Sequence, residues 1–215
     1  MRSELLVIAA PNRLPRIECR AGAVTARCTA PDTVHLVSAA ANPLGGDAIE
    51  IRVVVEPGAR LKIRSAAASV ALPGPATPTS RARWEVEVAG DLDIDLEPTV
   101  VAAHARHLSG ISVLLHEEGS IRLRERVQIG RFGEREGFWS GSLCADRNDR
   151  PLTRHRVELG AGSLADDALC APRANVSELC YPATTSVAPA GTGTTVLALA
   201  AGGSLSTWQG DRLSC

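Results

Sequence analysis

The chain has 215 residues, 45% of them apolar, with 23 basic against 24 acidic side chains and a formal charge of −1. That length is enough to bury a proper core, as one large domain or two small ones. The near-neutral balance argues against nonspecific nucleic-acid binding, which depends on phosphate neutralisation by excess positive charge.

Residues 1–20, MRSELLVIAAPNRLPRIECR, hold a short apolar patch from Leu5 to Ala10 that Pro11 and Asn12 interrupt. They lack the basic start, long apolar core and small-residue cleavage site of a secretory signal. No window approaches a membrane span, and the apolar run at 196–201 is far too short. The expectation is a soluble, cytoplasmic protein.

Strand-like alternation then dominates. TVHLVSA (33–39), AIEIRVVVE (48–56), RLKIRSAAASVAL (60–72), ARWEVEVAG (82–90), DLDIDLE (91–97), ISVLLHE (111–117) and SIRLRERVQIG (120–130) all read as half-buried strands. Ile49, Ile51 and Val53 alternate with Glu50 and Arg52, a period of two that turns one face inward and one to water. PLGGD, EPGA, PGPATP, AGD and EEGS supply turns between them. Asp91, Asp93 and Asp95 line one outward face. The pattern predicts an all-β fold of many short strands, as in sandwiches, barrels and β-solenoids. No internal repeat of fixed period is visible.

GSLADDALC (162–170), with Ser163 as N-cap and two early acids, predicts one short helix. SVAPAGTGTT (186–195) reads as a loop before a last apolar strand. No linker stands out, so residues 1–215 are expected to form a single domain.

Six cysteines, at 19, 28, 144, 170, 180 and 215, show no CxxC or CxxH spacing, which leaves a structural zinc site unsupported. Without an export signal they are expected to be free thiols, although Cys19 and Cys28 have hairpin spacing. Only six residues are aromatic, so alanine and valine must fill much of the interior. Lys62 is the sole lysine, a skew towards arginine that reads as the codon bias of a GC-rich genome.

Gly45-Gly46-Asp47 opens a strand, so it is neither a Walker loop nor a dinucleotide-binding turn. ERVQIGRFGEREGFWSG (125–141) sets four glycines around Arg131 and Glu134. Those glycines permit positive φ in a tight, bulged connection, and the fixed Glu134 invites either a cation or a structural partner. His104 and His107 share a face only in a helix, and neither HExxH nor GxSxG occurs.

Three of these stretches, in order, resemble the urease accessory protein UreD (UreH) family, in the short form found in GC-rich bacteria. HLVSAAANPLGGDAIEIRVVVEPGARLKIRSAAASVALPG resembles the N-terminal core of that family. DIDLEPTVVAAHARH resembles its next stretch. RLRERVQIGRFGEREGFWSG with RPLTRHRVELG resembles its E-x-V-x-x-G-R-x-G-E signature and the strands after it. The match runs from about residue 31 to 170. This chain departs from many members at Ser69, Val70 and Ala71, where they carry a Lys and a Tyr, and its C-terminal third is shorter.

The resemblance implies an all-β, layered, partly helical sheet stack with a small C-terminal α element. It implies a chaperone and not an enzyme: a protein that binds apo-urease and, with UreF and the GTP-hydrolysing UreG, assists nickel insertion. No tightly bound cofactor is implied, only transient Ni²⁺. Asp47 and Glu134 match family carboxylates and are the candidate nickel-relay residues; spaced acids hold such an ion weakly enough to release it. The alternative is that both brace turns, Asp47 by accepting backbone N–H bonds and Glu134 by pairing with Arg131 or Arg135. Phe138, Trp139 and Trp208 are the obvious candidates for partner anchors, but core burial is the preferred reading of each. Two other classes stay open: an all-β hydrolase with Asp47 and Glu134 as a carboxylate pair, and an exported β-sandwich binding module.

Overall fold

The computed structural model describes residues 1–38, 42–164, 171–183 and 193–213. Seventeen strands run through them. The first half of the chain forms β1 (Arg2–Ala9), β2 (Arg16–Arg20), β3 (Val24–Ala30), β4 (Thr33–Ser38), β5 (Ala48–Val55), β6 (Arg60–Ser65), β7 (Ser69–Ala71), β8 (Thr79–Val88) and β9 (Asp91–Asp95). The second half adds β10 (Thr99–Val101), β11 (Arg106–Leu115), β12 (Ser120–Ile129), β13 (Phe138–Arg147), β14 (Arg150–Gly160), β15 (Ala174–Tyr181), β16 (Thr195–Ala198) and β17 (Ser204–Gly210).

The expected all-β class is what the described chain adopts. The small C-terminal α element is not: among the described residues there is no helix, and the C-terminal region forms β15, β16 and β17. The helix expected at 162–170 falls largely on residues 165–170, which lie outside the described ones. No helix of the described chain is long and apolar enough to cross a membrane.

Two sheets face each other. One runs β14-β13-β11-β8-β5-β1-β2; the other runs β16-β17-β15-β12-β9-β6-β4-β3, with β10 beside β12 and β7 beside β10. Between β5 and β13 the chain winds repeatedly from one sheet to the other and back, so β5, β8, β11 and β13 stack in parallel on one side. On the other side β6, β9 and β12 do the same. This is a flattened coil. Its step in sequence changes from turn to turn, with Ala48 beside Arg81, Arg81 beside Leu108 and Leu108 beside Ser140. That irregular step is why no fixed period shows in the sequence.

The alternating apolar residues of both sheets point into one interior. Val7, Val53, Val55, Val88 and Leu115 come from the first sheet, and Val34, Leu61, Ile63 and Leu179 from the second; all are fully buried. Each such side chain stabilises the fold by roughly 1.5–3 kcal/mol relative to exposure. A second cluster, centred on Trp139 with Val127, Ile129 and Leu159, closes one end.

The turns leaving β5, β8 and β11 stack on each other. Ala89 N–H donates to Val55 O and Asp91 N–H to Ala59 O, at 2.8 and 2.9 Å. Gly90 sits where these layers touch. A Cβ there would lie 2.3 Å from Ala59 O and 2.6 Å from Glu56 O, both rigid backbone atoms. Gly90→Ala should therefore cost about 2 kcal/mol through forced displacement of the turn. Thermal unfolding should register this as a fall of roughly 4–8 °C; an unchanged midpoint would mean the turns are not packed this way.

Asp91, Asp93 and Asp95 do face outward, but they are paired. Arg64 reaches Asp93 at 2.7 Å, Arg126 reaches Asp95 at 3.0 Å, and Arg122 joins Asp93 at 3.3 Å to Glu178 at 3.0 Å. Parallel pairing places these strands side by side, which a strand read alone does not reveal. Cys19 and Cys28 do not face each other. Cys19 lies on β2 beside Leu5 and Cys28 on β3 beside Val34, in different sheets. Neither forms a disulfide, and nor does Cys144.

Candidate functional site

The Gly-Gly-Asp turn delivers the chain into β5. Asp47 N–H donates to Leu44 O at 2.8 Å, and the Asp47 carboxylate accepts the reciprocal bond from Leu44 N–H at 2.9 Å through Oδ2. Its Oδ1 accepts from the Met1 nitrogen at 2.6 Å. Asp47 is buried. Gly45 is required because a Cβ there would lie 1.9 Å from Thr77 O and 2.4 Å from Gly74 N. The motif thus locks two loops and the start of β5 together.

Glu134 does similar work between β12 and β13. Oε2 accepts from Arg131 N–H at 3.0 Å and from Ala103 N–H at 2.9 Å. Oε1 accepts from Arg131 Nε at 2.9 Å and Nη2 at 2.5 Å. The Arg131 side chain, then the two backbone donors, hold this carboxyl down at about 2. The expected pairing with Arg131 is met, and Gly130, Gly133 and Gly137 all take positive φ.

Both acids sit at the same end of the first sheet, since Ala103 leads into β11 and Asp47 into β5. Strand β8 lies between those two strands. Two strand steps of about 4.8 Å separate them, too far for one ion to bridge. Among the described residues no group of three or more His, Cys, Asp or Glu is arranged to hold a metal ion.

Between them the interior turns polar. Ser80 pairs with His107 across β8 and β11, and Ser80 Oγ lies 2.9 Å from His107 Nδ1. Burial pushes His107 down to about 4, so it is neutral at physiological pH. His107 also lines a cleft of ≈ 110 Å³ with Asn42, Ser69 and Thr99. Asn42 Oδ1 is buried there without a hydrogen-bond partner.

Two residues deeper, Glu125 points inward from β12, between Leu123 and Val127. Ser109 Oγ donates to its Oε1 at 2.8 Å. Burial raises this carboxyl to about 7, partly offset by the Ser109 bond. Glu125 lines a small cavity of ≈ 10 Å³ with Trp139, Gly141, His155 and Ser177, about the space of one water. Ser177 Oγ lies 3.4 Å from His155 Nε2 and accepts from Asn175 Nδ2 at 2.9 Å. Burial lowers His155 as well.

Sequence reasoning did not single out Glu125, Ser80 or His155. A signal for Glu125 existed: in SIRLRERVQIG the inward positions are Ile121, Leu123, Glu125, Val127 and Ile129, so one acid interrupts an apolar face. The pairing of Ser80 with His107 has no local signal, because it depends on register. Of the expected anchors, Phe138 and Trp139 are buried and belong to the core, while Trp208 is half-buried.

The sequence of this chain is similar to that of known proteins. Against the urease accessory protein UreD of Frankia casuarinae the chain is 39% identical over 177 residues, 74% of this chain and 55% of the relative. It is 43% identical over 140 residues to urease accessory protein UreD 1 of Saccharopolyspora erythraea, 64% of this chain and 55% of the relative. It is 47% identical over 116 residues to UreD of Frankia alni, 53% of this chain and 39% of the relative. The chain thus spans about half the length of the curated relatives it matches. The family model described as UreD urease accessory protein matches residues 12–210, and the chain belongs to that family.

Proposed function

We propose that this chain serves urease maturation as a chaperone, binding apo-urease and working with UreF and UreG while nickel is inserted in a GTP-dependent step. The observation that carries this reading is the family match across residues 12–210. On this reading the chain is a cytoplasmic binding protein, not an enzyme, and nickel is its transient cargo. Ser80 and His107 do not argue for hydrolysis: both are enclosed, and the nearest acid by level, Asp47, is bonded to Leu44 and Met1.

The relay reading of Asp47 and Glu134 is tested apart from the chaperone role. The Asp47 carboxylate already accepts two bonds and that of Glu134 four, which supports bracing. What supports cation passage is only that His107, Glu125 and His155 set spaced N and O donors inside the fold without a cage that would trap the ion; they line two separate cavities.

The test is reconstitution with UreF, UreG, apo-urease, nickel and GTP. Omitting only this chain should abolish activation; full activation without it removes the proposal. The double variant Asp47→Ala, Glu134→Ala, checked for retained fold and partner binding, should activate at least fivefold less if the acids pass nickel. Unchanged activation leaves them as braces.

A further inference from the structure

The chain has two phenylalanines, and they are treated oppositely: Phe138 is 7% exposed and Phe132 is 96% exposed. A free-standing aromatic ring forgoes the burial that every other large aromatic here obtains at least in part. The segment carrying Phe132 is not loose. It is the Arg131–Glu134 turn, closed by the backbone bond from Glu134 N–H to Arg131 O at 3.0 Å. The Glu134 carboxylate ties that turn to Ala103, and Arg173 Nη1 ties its Glu134 carbonyl at 3.0 Å. The ring is therefore presented at low entropic cost to whatever binds it.

A second exposed apolar side chain rises at this end. Leu164, 97% exposed, follows β14, and Ala161 N–H donates to Gly137 O of the same loop at 2.9 Å. The surroundings are basic. Arg106, Arg131, Arg135, Arg173 and Arg212 stand here against Glu134, Glu136 and Asp211. Arg131 is spent on Glu134 and Arg173 on Asp211, while Arg106 lies over the Phe138 ring at 4.0 Å. Arg135 and Arg212 are exposed, and both bear electrostatically on Asp211. Among the described residues this end is locally positive, in a chain of net charge −1.

We propose that Phe132 is a docking knob, inserted into an apolar pocket with a carboxylate rim on a protein partner of the urease-maturation assembly. It rests on the function proposed above. Charge complementarity selects the partner: exposed arginines flanking the ring favour acidic rims and repel basic ones. The buried ring would carry most of the contact, as central aromatic anchors do. Glu134 then has a positioning role, since its bonds fix the turn that aims the ring.

The experiment is co-purification of the full chain with UreF alone and with apo-urease alone, for wild type, Phe132→Ala, Phe132→Leu and the pair Arg135→Glu, Arg212→Glu. Phe132→Ala should keep the wild-type melting temperature, because the ring touches solvent, and should lose one partner at least tenfold. Phe132→Leu should retain most binding, and the charge-reversed pair should lose several-fold with a weaker salt dependence. If wild type binds and Phe132→Ala binds equally, the knob is overturned and the chaperone role stands. Binding of neither partner by wild type overturns both. A change in self-association without a change in partner binding makes a second copy the occupant and overturns the partner proposed here.

Discussion

Replacing Trp139 with alanine should lower thermal stability by about 10 °C or more. The indole is 1% exposed and anchors the cluster of Val101, Val127, Ile129, Val157 and Leu159 that closes one end of the coil. Deleting a buried tryptophan costs about 3–5 kcal/mol through lost transfer energy and the cavity left behind. Folded domains hold only ~5–15 kcal/mol in total. At roughly 2–4 °C per kcal/mol for a chain of this size, the shift is large. The ring lies flat along β13 because Gly141 leaves room: a Cβ there would be 2.1 Å from Trp139 Cζ2. Gly141→Ala should therefore destabilise by displacing the same ring. A melting shift under about 3 °C for Trp139→Ala would show that the indole is not the anchor of this cluster.

Glu125→Gln should change how stability depends on pH. In the folded chain Glu125 titrates near 7, above its ordinary 4.5, because burial disfavours its charged form. Between those values the folded state holds a proton that the unfolded chain has released, so stability falls as pH rises through the window and levels off above 7. The shift corresponds to roughly 3 kcal/mol. Glutamine keeps an acceptor for Ser109 and cannot ionise, so the variant should lose this slope and be the more stable protein at pH 8. His107 acts in the other direction. Its folded value near 4 lies below the ordinary 6.5, so stability falls as pH drops through that range, in wild type and variant alike. Denaturant unfolding at pH 5, 6.5 and 8 separates the two limbs. Identical slopes for wild type and Glu125→Gln would mean that the carboxyl is solvated in the folded chain.

These two side chains mark where local reading stops. Trp139 was legible as a core aromatic, and it is one, but WSG offers no periodicity to say which cluster it anchors. Glu125 sat in plain view inside a motif, and its inward position follows from counting along β12. Its raised titration does not, since that comes from burial by strands packed around it, partly offset by the Ser109 bond. Phe132, two glycines away from Phe138, is indistinguishable from it by sequence.

What the sequence determined by itself was whatever depends on neighbours along the chain. Period-two alternation set the all-β class, and glycine-bearing turns set where strands end. The ordered motifs at 42–51 and 125–141 identified the family. The bracing of Asp47 and Glu134 was also readable, because each acid bonds within three residues of itself, to Leu44 and to Arg131. Everything that depends on register was decided by the tertiary structure. Parallel strands in this coil meet at separations of about thirty residues, with a step that varies from turn to turn. Ser80 therefore meets His107, Asp93 meets both Arg64 and Arg122, and Cys19 misses Cys28, none of it encoded in local spacing. A one-residue change of register would turn every one of those side chains to the opposite face.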